Sequence, residues 1–137
     1  IITDLERMGD LAEEISERAV QLCTPPFFPI PDGLQRMADM TTIMVRQSLD
    51  AFVNLDVKQA LMVVRMDDEV DRYNNQIIQE IIKLMTESTS NIQHGLSMFS
   101  AVRHIERIAD HATNIAEDVI YLVEGEIVRH RVQELEG

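Results

Sequence analysis

The chain has 137 residues, 45% hydrophobic and 26% charged, and 12 Lys and Arg set against 24 Asp and Glu give a formal net charge of −12. That is long enough to bury one domain's core, and with only 5 Gly and 4 Pro the composition excludes a disordered chain. The negative charge excludes nucleic-acid binding through phosphate neutralisation and suits cations or a basic partner.

The chain opens at Ile1 already in helical phase, which reads as a fragment or processed form. Residues 3–22 place Leu5, Met8, Ala12, Ile15, Ala19 and Leu22 at steps of three and four, predicting an amphipathic helix. All four prolines follow in CTPPFFPIPDG, so 25–33 is a linker, closed by Asp32-Gly33. A second helix is predicted over 34–54, with Met37, Thr41, Met44, Ser48 and Phe52 on one face. Asn54-Leu55-Asp56 forms a turn, and Asp56 with Gln59 resembles a capping box opening a third helix towards Glu87, with a break expected near Arg65–Asp67. STSN at 88–91 is a turn. The last helix is expected from Ile92 to Glu124, with Gly125 as its stop and 126–137 as a tail that either extends the helix or frays.

No segment alternates like a strand, so the fold class is all-α. With 8 Met, no Trp and few aromatics, Met and aliphatic side chains fill the core. Cys23, the single cysteine, leaves no intrachain disulfide or thiolate metal cluster and is compatible with a reducing compartment. No apolar run approaches the roughly 18 residues of a membrane span, and no signal peptide is visible, so no membrane insertion is expected.

The first helix laid on the last at a shift of 100 residues aligns TDLERMGDLAEEISERAVQL with RHIERIADHATNIAEDVIYL, identical at seven of twenty positions. Two copies of one helix indicate a duplicated unit. The chain then reads as one three-helix repeat, 34–125, preceded by the last helix, 1–24, of an incomplete first repeat. The orphan helix leaves an apolar face to be covered, and a homo-oligomer is expected.

At about 100° per residue, Glu106, Asp110, Asn114 and Glu117 share one stripe, opposite Ile105, Ile108, Ala112, Ile115 and Val119. Like charges at i and i+4 repel by roughly 0.2–0.5 kcal/mol per pair. The plain reading is a solvated acidic face. Against it, Glu6 and Asp10 repeat the Glu-x-x-x-Asp spacing, and Asp67 and Asp71 supply another acid pair at that spacing on the preceding helix. Two such helices side by side offer four carboxylates, Asp67, Asp71, Glu106 and Asp110, to one hard cation. Oxygen donors favour Mg²⁺, Mn²⁺, Ca²⁺ or iron over thiolate-loving metals. His111, Asn114 and Glu117 are further ligand candidates. For His111, pairing with a neighbouring acid is the competing role.

LERMGDLAEEISERA, HIERIADHATNIAEDVIYLVEG and DVKQALMVVRMDDEVDRY resemble the signature helices of the PhoU family of phosphate-uptake regulators, over nearly the whole chain. Ala109 stands where the family usually has Gly. The resemblance implies two three-helix bundles, of which this chain carries the last helix of the first and all of the second. It implies a cytoplasmic, non-enzymatic adaptor acting with the Pst phosphate ABC transporter, including its ATPase, and with the PhoR sensor histidine kinase. In that role it restrains the phosphate regulon through a two-component system when phosphate is plentiful. It implies a multinuclear metal cluster (Fe, Mn, Mg or Zn) held by Asp67, Asp71, Glu106 and Asp110, with Glu6 and Asp10 as half of a second.

Two other functions compete. A di-iron or ferritin-like bundle requires Glu-x-x-His pairs aimed inward, and the residues three before His94, His104, His111 and His130 are Asn91, Ala101, Ile108 and Ile127. A histidine phosphotransfer domain would use His104 or His111, beside a stripe that repels phosphate. No Ser/His/Asp set, phosphate-cradling Gly loop or reactive Cys environment is present, so no enzyme is expected.

Overall fold

A computed structural model describes residues 1–136. The order is α1 (Ile2–Leu22), α2 (Leu34–Asn54), α3 (Val57–Glu87), a 3₁₀ turn (Thr89–Asn91) and α4 (Ile92–Glu136). Among the described residues there is no strand, and the fold is all-α: a three-helix bundle with one extra amphipathic helix before it.

Local chemistry sets the boundaries. Gly33 precedes α2 at φ 85°, a left-handed conformation that glycine adopts without strain. Asp56 caps α3 by accepting from the Gln59 amide, while its own amide bonds to Ala51 O. Ser88 accepts from the Ser90 amide at the start of the 3₁₀ turn. Leu55 ends α2 at φ 51° although it has a side chain.

Two expectations need correction. Helix α3 runs unbroken through Arg65–Asp67, because that stretch holds no Pro or Gly and the flanking Val63 and Val70 are both fully buried. Helix α4 does not stop at Gly125 but continues to Glu136. A glycine ends a helix by turning left-handed, and Gly33 is the positive-φ glycine of the described chain. Within a helix Gly125 costs only about 1 kcal/mol against Ala.

Helix α4 is the hub. It packs against α1, α2 and α3, and α2 also packs on α3, whereas α1 meets no helix but α4. The core is therefore built where α2, α3 and α4 meet, from Met37, Met44, Val63, Ile77, Ile81 and Val102. Methionine and aliphatic side chains dominate it, as the composition requires.

The repeat is visible in structure as an asymmetry. Ala109, Ala112, Ala116 and Val119 of α4 are fully buried under α2 and α3, while their counterparts Gly9, Ala12, Ser16 and Ala19 of α1 are exposed. Helix α1 buries only Met8 and Leu11. Its far end is tied down by His94, which is buried on α4 and bonds through Nε2 to Thr24 O at 2.7 Å. Between α1 and α2, above α4, lies an open apolar cleft of about 630 Å³ floored by Met98 and Ile105 and walled by Leu22 and Leu34.

Candidate metal centre

Helices α3 and α4 run antiparallel across the short 88–91 turn. That geometry puts residues 67 and 71 of one helix beside residue 110 of the other. Asp67 and Asp71 lie one turn apart on α3, so both carboxylates reach the same edge of the α3–α4 seam. One oxygen from each of Asp67, Asp71 and Asp110 falls within 4.8 Å of the others.

The three differ in environment. Asp110 is exposed, Asp71 half-buried, and Asp67 leans inward beside the fully buried Val63 and Val70. Asp67 Oδ1 is buried and has no hydrogen-bond partner. Burial first, then the charges of Asp71, Asp110 and Asp68, push the Asp67 carboxyl up from its ordinary 3.8 to about 6, with a nearby Thr113 hydroxyl offsetting part of the rise. Asp110, exposed as a residue but partly desolvated where its carboxyl meets the α3–α4 seam, is likewise raised, by that desolvation and then by Glu106 and Asp71, with His111 and Arg103 opposing.

This is an arrangement with negative charge to spare. A buried, unpaired carboxylate oxygen is costly. A hard cation satisfies it and relieves the repulsion together, and carboxylate oxygens are the donors such cations prefer. The donor set therefore fits a hard divalent cation or iron.

The other candidates lie as follows. Glu106 is half-buried and binds Arg103, with Nη1 to Oε2 at 2.8 Å, and its charge bears on Asp110. Glu6 and Asp10 are exposed on α1 and join no group of three ligating side chains among the described residues. Asn114 is exposed one turn beyond Asp110, and Glu117 is half-buried outside the Asp67, Asp71, Asp110 group. His111 donates from Nδ1 to Asp4 Oδ1 at 2.8 Å, the acid-partner role. His104 has oxygen partners on both ring nitrogens, Ser100 O and the Glu14 carboxylate.

Sequence reading missed Thr113, whose buried hydroxyl sits near Asp67. The available signal was its position three residues after Asp110, on the neighbouring turn of α4. It also missed Asp4, because the repeat alignment pairs position 4 with His104 rather than with His111.

An all-α bundle with acid pairs at i, i+4 spacing on two neighbouring helices defines a carboxylate-bearing helical repeat domain. The PhoU domain pattern matches residues 34–119, and the chain belongs to that family. It is 42% identical over 132 residues to the phosphate-specific transport system accessory protein PhoU homolog of Pseudomonas putida, covering 94% of this chain and 51% of the relative. The homolog of Aquifex aeolicus is 42% identical over 131 residues, covering 96% of this chain and 59% of the relative. The crystal structure of PhoU from Pseudomonas aeruginosa superposes with a TM-score of 0.86 at 40% identity, over 90% of this chain and 60% of that one. The PhoU regulatory protein of Streptococcus pneumoniae gives 0.82 at 31% identity, over 90% and 58%. The chain thus spans about half the length of the curated relatives it matches.

Proposed function

We propose that this chain is the metal-binding second repeat, with the last helix of the first, of a regulator of phosphate uptake. The observation that carries the metal reading is the convergence of Asp67, Asp71 and Asp110 around a buried carboxylate oxygen without a partner. The uptake reading rests on relatives named as accessory proteins of the phosphate-specific transport system. On this reading the protein is a cytoplasmic adaptor without catalysis of its own. It docks on the transporter's ATPase and on the sensor kinase, and so restrains the phosphate regulon.

The cation sits on Asp67, Asp71 and Asp110, with Glu106 joining once Arg103 is displaced. A bound ion adds positive charge to an acidic surface and locks α3 to α4, which makes docking responsive to metal. Several carboxylates on one seam suit a multinuclear cluster. Glu6 and Asp10 form half of a second site, completed by helices that lie outside this chain and cover the exposed Gly9, Ala12 and Ser16 face of α1.

Metal content after dialysis against Mn²⁺ or Fe²⁺ tests the cation site. The chain should retain metal, and an Asp67→Asn/Asp110→Asn variant should lose most of it. Equal, near-zero content in both ends the metal reading. Docking is tested separately with the full-length protein, in a pull-down against the transporter ATPase and the sensor kinase. Retention of neither ends the adaptor reading.

A further inference from the structure

A groove with spare positive charge opens on the outer side of α2 and α3. It holds about 430 Å³ and is lined by Arg36 of α2 and by Glu69, Arg72, Tyr73 and Gln76 of α3. The chain has twice as many acids as bases, so a cation on its surface has acids to choose from. Yet among the described residues Arg36 and Arg72 form no ion pair. The acids nearby are engaged elsewhere. Asp39, three residues on from Arg36, accepts from Gln35 Nε2 at 2.9 Å, and Glu80 Oε2 accepts from the Asp32 amide at 3.1 Å. Helix α2 has no acid in its first turn.

Packing fixes the groove in place. Tyr73 is half-buried, and its ring lies against the backbone of Gly33, where a Cβ would come within 3.1 Å of Tyr73 Cδ1. At about 100° per residue Glu69, Arg72 and Gln76 share an arc of roughly 60° on α3, on the side away from Asp67 and Asp71. Lys58, Arg65 and Lys83 fall on the same stripe, so a positive ridge runs along this face of a chain whose net charge is −12.

Two guanidinium groups suit a tetrahedral oxyanion, and the Tyr73 hydroxyl and Gln76 amide add neutral donors. Glu69 decides which oxyanion. A carboxylate in such a groove repels an anion unless that anion brings a proton to donate. Inorganic hydrogen phosphate brings one and sulfate does not, and at about pH 8 a phosphomonoester has lost its second proton. All three are then dianions, so charge alone does not separate them. We propose that this groove binds inorganic hydrogen phosphate, with its oxygens on Arg36 and Arg72 and its P–OH donating to Glu69. A site that must receive a hydrogen bond rejects the analogue that lacks the hydrogen. The inference rests on the groove alone. It stands or falls apart from the metal and docking readings, because anion binding is measured on this chain without metal or partner.

NMR titration of the chain in EDTA at about pH 8, where the phosphomonoester is a dianion, tests this with sodium phosphate, sodium sulfate and glycerol phosphate at matched ionic strength. Phosphate should shift the amides of 33–36 and 69–76 and bind about tenfold or more tightly than the other two. Arg72→Ala should weaken phosphate about tenfold, the scale of one charge-assisted hydrogen bond. Arg36→Ala/Arg72→Ala should abolish the shifts with melting unchanged, since both side chains are exposed and unpaired. Glu69→Gln should erase the preference for phosphate over sulfate, because an amide donates to either anion. No shift in the groove at any phosphate concentration reached overturns the proposal. So do equal affinities for the three anions, which describe an unselective basic patch, and phosphate binding that survives in the double Ala variant. A preference for phosphate that survives Glu69→Gln overturns the role of Glu69 as acceptor, and with it the selective site.

Discussion

His111 Nδ1 lies 2.8 Å from Asp4 Oδ1, joining α1 to α4 one residue along from Asp110. Its ring is turned to α1, while the carboxylate of its neighbour is turned to α3. Successive residues on a helix point about 100° apart, so one helix serves two partners from adjacent positions.

His111→Ala should therefore loosen α1 without emptying the proposed cation site. Amide exchange in α1 should quicken near its start, while affinity for Mn²⁺ changes by no more than roughly twofold, the scale of a lost partly exposed pair. A loss of tenfold or more would mark His111 as a ligand or as a direct support of one.

The metal-free chain should respond to acid in an unusual direction. Asp67 is raised from 3.8 to about 6 by burial and by neighbouring acids. The folded state then holds its proton more tightly than the unfolded state. The Asp67 contribution to stability is fully present below its ordinary 3.8 and is lost as pH rises through about 6. Asp67→Asn should raise the melting temperature at pH 7 and flatten the profile between those two values. A variant less stable than wild type at pH 7 in chelator would contradict this.

Divalent cation should stabilise the chain by mass action. At a hundredfold excess over Kd the gain is about 2.7 kcal/mol. Thermal melts with Mn²⁺ and with EDTA should separate clearly for the wild type and coincide for Asp67→Asn/Asp110→Asn. Equal shifts in both would place the ion elsewhere.

Leu55→Gly should stabilise the fold. Leu55 is half-exposed and holds φ 51° at the end of α2. A residue with a Cβ pays about 1 kcal/mol or more for that conformation, and glycine does not. The loss of chain entropy offsets part of the gain, leaving roughly 0.5 kcal/mol in chemical denaturation. A fall in midpoint would show that the Leu55 side chain contributes packing worth more than the strain.

Local pattern carried much of the fold. Prolines closed α1, the apolar spacing placed α2 at 34–54, and Asp56 marked the start of α3, because helix periodicity and caps are encoded within a few residues. Gly125 misled because a glycine stops a helix only when its φ is positive, and nothing local imposes that on 125. The acid pairs were legible as pairs. That Asp71 and Asp67 share a group with Asp110 depends on the axial offset of α3 against α4, and no spacing within one helix encodes it. The Arg103–Glu106 pair, at i and i+3 on α4, is by contrast a contact that one helix does encode.

By itself the sequence determined an all-α chain, its repeat, its acidity and the i, i+4 rows of carboxylates, since these follow from composition and from a fixed 3.6-residue period. Only the tertiary structure decided which of those carboxylates meet. It made α4 the hub, left the α1 face of Gly9, Ala12 and Ser16 open, and buried one oxygen of Asp67 without a partner. Burial and distance between helices arise from packing. The same aspartate is an ordinary surface acid on a lone helix and holds its proton more tightly once a second helix closes against it.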